Sequence, residues 1–349
     1  MVPDVRYLIV PLVCLYLAGC APDSGVPGMM DEYVMGVADA LELRPEFSDI
    51  APVPQIPRRR ERVLDMPGLD MGMLDFLSLY GCELQYVVGE RNSIMGRVMQ
   101  PLNRLRYETR FIRAAEACIS ETDDEEIQEE LEEAITHKIE TLPIAVWNAT
   151  WGVEEIERLF TLSQGYYPWS GDDKALAELS SGVTRVNQTV RGLLDGNTSE
   201  PLDYVGGVHQ LWQAEHRAGQ LLNSARLMTV RLGDATALLA KRVEGAPLCS
   251  GAESEELPGE LAEIYTDGYG DGIEDYLDRI ERAKEALIKP LDTLAAQQSE
   301  TMPSAFREWY RHYLDTGNAD SVWVQLDRAI SAHKQRWRQL LTQCEASPQ

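Results

Sequence analysis

The chain is 349 residues long, carries a formal net charge of −25, and has six cysteines and five histidines. A surface this acidic repels polyanions, which argues against nucleic acid as a partner and against charge-driven binding to anionic lipid. The length suits one large domain or two modest ones.

Residues 7–19 form an almost unbroken apolar run, YLIVPLVCLYLAG. It is shorter than the ~20 residues that span a bilayer, and it has the length of a signal-peptide core. Pro11 argues against a buried helix there. Leu17-Ala18-Gly19-Cys20 resembles a bacterial lipobox. That resemblance implies diacylglycerol on the Cys20 thiol, then cleavage that leaves Cys20 as the first residue. By resemblance to sorted lipoproteins of Gram-negative cells, Ala21 in place of an aspartate implies the outer membrane, facing the periplasm. Residues 1–19 are thus expected to be a lipoprotein signal peptide and 20–28 a tether. The membrane would be bound through several acyl chains, since one chain alone is marginal.

Helical patterning dominates the rest, with no run of alternating strands and no short repeat. A first helix is expected over 29–43, followed by an extended strap over 52–67, PVPQIPRRRERVLDMP. Residues 73–99 read as a helix that Pro101 ends, and 103–119 as its return. In such an antiparallel hairpin Cys82 and Cys118 stand equally far from Gln100 at the turn, so they are expected to form a disulfide. Cys14 leaves with the signal and Cys20 takes lipid. Cys249 and Cys344 then remain as a second pair, as an oxidising compartment favours.

The next helix is expected to open with a capping box at Thr122 and Glu125. Nine of the thirteen residues 121–133 are acidic, which reads as a solvated helix face rather than a cation site. Ile127, Leu131, Ile135, Ile139 and Leu142 would form its buried stripe. Trp147, Trp151, Tyr166, Tyr167 and Trp169, around the loop SQGYYPWSGDD, read as packing residues, with sugar stacking as the other reading. One long helix is expected over 204–242, with a seam of Leu211, Ala214, Ala218, Leu221, Ala225, Met228, Leu232, Ala235 and Leu239. Further helices are expected over 258–298 (interrupted near TDGYGDG), 303–314 and 321–344. The last carries a seam of Trp323, Leu326, Ile330, His333, Trp337, Leu340 and Cys344, which turns Cys344 inward as a disulfide partner should be. The fold class is all-α: an elongated, disulfide-stapled bundle of long antiparallel helices. Its regions are 29–163 and 174–344, either separate or one continuous domain.

No catalytic residue, metal or cofactor is assigned. His209 and His216 are ~10 Å apart along one helix, too far to share an ion, and both fall opposite the alanine–leucine seam, which places them at the surface. His333 reads as a hydrogen-bonded core histidine. DGYGDGIEDYLD puts Asp267, Asp271, Gly272 and Asp275 at calcium-loop positions, but Tyr269, Glu274 and Asp278 break the pattern. A glycine turn opening a helix is the reading kept.

Residues 82–108, CELQYVVGERNSIMGRVMQPLNRLRYE, reverse the local charge. Glu90, Arg91, Asn92, Arg97, Asn103, Arg104, Arg106, Tyr107 and Glu108 crowd the hairpin tip. Arginine pairs bidentately with carboxylates, so the tip is a candidate site for an acidic partner, or for a carboxylate of a glycan or peptide. The competing reading is an ion network tying the hairpin to the acidic helix after it.

This stretch, together with PRRRERVLD, HKQRWRQLLTQC and the lipobox, resembles the proteobacterial lipoprotein family called domain of unknown function 3080. The most specific part is E-R-N-S, G-R-V-M-x-P and R-L-x-Y-E. The resemblance implies a Gram-negative envelope lipoprotein and brings no activity, cofactor or catalytic residue. The expected function is therefore a non-enzymatic helical adaptor or scaffold at the outer membrane, with an envelope protein or cell-wall partner. The alternative is a cell-wall ligand-binding protein or enzyme.

Overall fold

A computed structural model describes residues 25–68, 81–92, 98–171, 173–245 and 259–345. Cys20, Arg97 and Cys249, and the side chains of Asn92 and Cys344, lie outside the described residues, so the expected Cys249–Cys344 pair does too. Among the described residues the regular structure is helical throughout and contains no strand.

The first helix, α1 (Val26–Ala40), carries proline in its first turn, where the missing N–H leaves no bond unmade. It buries Met30, Tyr33, Val34, Val37 and Ala38. The strap follows, extended except for one helical turn, α2 (Arg59–Arg62), and it buries Val53, Ile56 and Arg62. Next come α3 (Glu83–Asn92), α4 (Pro101–Glu121) and α5 (Glu125–Thr150). The helix expected over 73–99 does not run through Gly81, whose φ of +97° is left-handed and incompatible with a continuing helix. The hairpin register holds: Cys82 and Cys118 are disulfide-bonded with Cα atoms 5.6 Å apart.

The capping box at Thr122 does not form. Asp124 caps α5 instead, accepting from the N–H groups of Glu126 and Ile127, as a short carboxylate does well. Leu131 and Leu142 are buried as expected, but Ile139 is 49% exposed. Asn148 in α5 laces the strap in place. Its side chain accepts from Leu64 N–H at 2.9 Å and donates to Leu64 O at 2.7 Å, pairing as a neighbouring strand would.

After α6 (Glu155–Leu159) and α7 (Lys174–Leu194), the helix expected over 204–242 is two: α8 (Val205–Ala214) and α9 (Arg217–Glu244). The chain turns extended at Glu215, with φ −108° and ψ 145°. The two pieces serve different neighbours. α8 packs on α6 and α7, whereas α9 packs on α1 and the last helix, and one straight rod does not reach both. Of the predicted seam, Ala218 to Leu239 is buried, while Leu211 is half-buried and Ala214 exposed. Gly219 lets α9 cross close over the preceding chain, since a Cβ there would sit 2.2 Å from Thr161 O.

The backbone then runs helical without a break through α10 (Gly259–Glu263), a wide π-type segment Ile264–Glu274, α11 (Asp275–Ala283), a second π segment Lys284–Ile288, and α12 (Lys289–Ala296). The interruption expected at TDGYGDG is absent. Residues packed inward recur there every four positions: Leu261, Tyr265, Tyr269, Ile273 and Leu277. An α-helix of 3.6 residues per turn drifts off that register, and alternating with wider turns holds it. Two helices close the fold, α13 (Ser304–Tyr313) and α14 (Val322–Glu345), the latter laid along α9.

Two hydrophobic cores result. The main one draws on residues from Val26 to Leu340. A second, smaller one belongs to the hairpin and the start of α5: Cys82, Leu84, Val87, Phe111, Ala114, Ala115, Cys118, Leu131 and Ala134.

Candidate functional site

The hairpin cluster is a site built from a buried charge outward. Glu108 stands three residues after Leu105 and four before Ile112, on the buried face of α4, and its side chain is fully out of water. An unpaired carboxylate there would be very costly. Arg104 pairs with it from the preceding turn, and Lys138 reaches it from α5 at 2.8 Å. Burial lowers the Lys138 pKa, and Glu108 opposes that shift. Tyr107 lies against both cations, with Arg104 at 5.5 Å and Lys138 at 5.4 Å from its ring centre. Burial raises its pKa to about 12.

Of the other predicted residues, Asn103, Arg106, Glu90 and Arg91 are described on the same hairpin. Arg106 donates to Leu202 O at 3.1 Å and to Asn103 at 3.0 Å. Glu90 pairs with Arg110 at 2.9 Å. Arg91 acts through its field on Tyr107 and Lys138. The structure therefore brings Arg104, Tyr107 and Glu108 together and recruits Lys138 and Arg110, which sequence reasoning did not include. Lys138 had a signal, four residues after buried Ala134 and four before buried Leu142.

A second polar cluster lies in the main core. His333 is fully buried, with Tyr33 Oη 2.7 Å and Trp337 Nε1 3.0 Å from its Nε2, and Thr236 Oγ1 2.9 Å from its Nδ1. Indole only donates. Nε2 is therefore the accepting nitrogen, and the ring proton sits on Nδ1, pointing at Thr236. Desolvation pushes the His333 pKa down to about 3, so the ring is neutral. This is the core histidine expected from its seam.

His209 corrects the surface placement. It is buried at 6% exposure, and burial lowers its pKa. The break at Glu215 resets the helical phase, so a seam drawn back from α9 mis-faces α8. His216 sits at that break, its Nδ1 2.9 Å from Arg158 O.

A third buried group is Arg62, in the strap. Its guanidinium donates to Pro57 O, to Trp151 O and Val153 O just beyond α5, and to Glu157 at 2.5 Å. Trp147 Nε1 in turn donates to Arg62 O at 2.7 Å. The aromatic group divides: Trp147, Trp151 and Tyr167 are core, while Trp169 is 41% exposed and stacks on Tyr276 at 5.2 Å. Among the described residues no group of three or more His, Cys, Asp or Glu is placed to hold a metal ion.

The three stretches quoted above thus each place a charged or polar residue in a buried network: Arg62 from PRRRERVLD, Glu108 from RLRYE and His333 from HKQRW. No curated protein and no solved structure matches the chain. The family described as Protein of unknown function (DUF3080) matches residues 30–348 of the 349, and the chain belongs to that family.

Proposed function

We propose that this protein is a lipid-anchored, non-enzymatic adaptor or scaffold on the periplasmic face of the outer membrane, which presents its stapled hairpin to an envelope partner. The observation that carries this reading is the hairpin's own core, closed by Cys82–Cys118 and by the Arg104–Glu108–Lys138 triad. That arrangement makes a braced arm in which Arg104, Glu108 and Lys138 neutralise one another. It leaves Tyr86, one turn along α3 from the disulfide, at 70% and Val98, just before α4, at 82% exposure, large apolar side chains offered to water. A disulfide persists in an oxidising compartment, which agrees with the periplasm, and the lipobox supplies the anchor.

The test is affinity capture from crosslinked envelopes, comparing the parent with a Tyr86→Ala, Val98→Ala variant of unchanged melting temperature. A partner captured by the parent and lost from the variant is expected. Equal capture by both would overturn these hairpin side chains as the docking surface. Cys20→Ala should release the protein into the soluble periplasmic fraction, and unchanged membrane fractionation would refute the anchor.

A second reading, a cell-wall ligand-binding protein, is favoured by one feature: the exposed indole of Trp169 beside an arginine-lined cavity.

A further inference from the structure

Residues 167–171 and 173 before α7, the first turn of α9 and the middle of α11 border a cavity of about 240 Å³, lined among others by Tyr167, Pro168, Asp173, Arg217 and Arg279. Hydrogen bonds hold its walls. Tyr167 N–H donates to Ser224 Oγ at 2.9 Å, and Tyr276 Oη donates to Tyr167 O at 2.7 Å. Arg279 is pinned by Pro168 O at 3.0 Å, Gly171 O at 3.2 Å and Asp173 at 2.7 Å. Arg217, the first residue of α9, comes from another side. Both guanidinium groups lie over the Tyr167 ring, 5.7 Å and 5.5 Å from its centre.

The electrostatics favour an anion. Among the described residues, two guanidinium groups line the cavity with one carboxylate, Asp173, which is committed to Arg279 and to the Tyr167 hydroxyl, while Glu215, outside the lining, lies 3.6 Å from Arg217 Nε. Among the described residues, Nη1 of Arg279 and Nη2 of Arg217 donate to no acceptor. Two long helices, α7 and α9, also begin here without a side-chain cap, so their first N–H groups add positive potential. In a chain of net charge −25 such a wall is a local exception.

Size and surroundings narrow the ligand. The cavity is smaller than the ~300–1,000 Å³ that holds a whole drug-sized molecule, so it suits one charged end of a ligand. Trp169 sits between the lining residues Pro168 and Ser170, with one face of its indole stacked on Tyr276 and 41% of the residue exposed. A part-exposed indole between two residues that line an arginine-bearing cavity fits a sugar ring that carries a carboxylate.

We infer that this cavity binds a carboxylated sugar of the cell wall, with the carboxylate between Arg217 and Arg279 and the ring against Trp169. The inference rests on the second reading above and gives it a site and a ligand class. It is independent of the hairpin tip.

The test is calorimetric titration of the full chain with N-acetylmuramic acid, and with N-acetylglucosamine as the analogue lacking the carboxylate. The acid should bind roughly tenfold or more tighter than the neutral sugar, the size of a charge-assisted pair. Arg217→Gln should remove that preference, Arg217→Lys should keep part of it, and Trp169→Ala should weaken both sugars. Each variant is checked for an unchanged melting temperature. Equal binding of the two sugars, or an Arg217→Gln variant that still prefers the acid, would overturn the carboxylate site and leave wall binding standing. No binding of either sugar would overturn both.

Discussion

Lys138 Nζ lies 2.8 Å from Glu108 Oε2, and both side chains are almost entirely out of water. The pair joins α4 to α5 beneath the hairpin, where Lys138 is tolerable because Glu108 faces it and Glu108 is compensated by Lys138 and Arg104 together. Removing one partner of a buried pair costs ~3–5 kcal/mol, whereas replacing both by apolar groups is often near neutral. Glu108→Ala should therefore lose that much in urea unfolding. Glu108→Leu with Lys138→Met should be the more stable of the two variants. A double variant weaker than the single one would show that the charges contribute something other than mutual compensation.

The disulfide should act on one core and not the other. Cys82 and Cys118 close a loop of 36 residues, and in the chain-entropy account such a bridge contributes ~4 kcal/mol. All the residues next to it belong to the smaller core. In Cys82→Ser with Cys118→Ser, amide hydrogen exchange should quicken in α3 and α4 while the centre of α9 keeps its protection. Uniform quickening along the chain would mean that the two cores unfold as one.

What the sequence revealed follows from periodicity, and what it hid follows from tertiary demand. The seam Ala218 to Leu239 and the seam around Trp337 were legible because a buried helix face repeats every three to four residues. The break at Glu215 was not. QAEHRAG contains no proline, and the helix stops there because α8 and α9 serve different neighbours, a choice that local propensity does not record. The same break hid the burial of His209. At the hairpin the charged residues looked like a surface patch, although the spacing Leu105, Glu108, Ile112 already put the carboxylate on the apolar face. Arg62 carried no periodic signal, because the strap around it has no period, and only the carbonyls it meets reveal its role.

The TDGYGDG stretch makes a prediction of its own. Its backbone is helical from Ile264 to Glu274, so its carbonyls point along the helix and not into a loop as a calcium site requires. The melting temperature should be the same in calcium and in chelator. A rise with calcium would require this segment to rearrange into a loop.

Arg62 should resist even a conservative change. Its fork reaches carbonyls of Pro57, Trp151 and Val153 and the carboxylate of Glu157 together. Lysine keeps the charge but presents a single ammonium, so it leaves buried acceptors without donors. Each such loss costs ~1–3 kcal/mol. Arg62→Lys should therefore lower stability by roughly 3 kcal/mol in total, read from denaturant midpoints, and should free the strap to proteolysis. A loss under about 1 kcal/mol would mean that the strap is held by Trp147 and Asn148 without it.

His333 gives the fold a dependence on acid with a definite sign. Its folded pKa is about 3, against an ordinary value of 6.5. Protonation would place an N–H on Nε2, facing the N–H of Trp337, donor against donor. Between those two pKa values the unfolded chain binds the proton and the native chain does not. The stabilisation is thus fully present above pH 6.5 and is lost as pH falls towards 3, by ~1.4 kcal/mol per pH unit. Other carboxylates and histidines titrate in the same range, so the parent alone does not isolate this group. His333→Gln, which cannot take up the proton, removes it from the balance. Tyr33, Tyr269, Thr236 and Trp337, which surround the ring, do not titrate between pH 7 and 5. Unfolding free energies at those two pH values should show the parent losing ~2 kcal/mol more than the variant. Equal losses in the two proteins would mean that the histidine finds a way to hold its proton inside the fold.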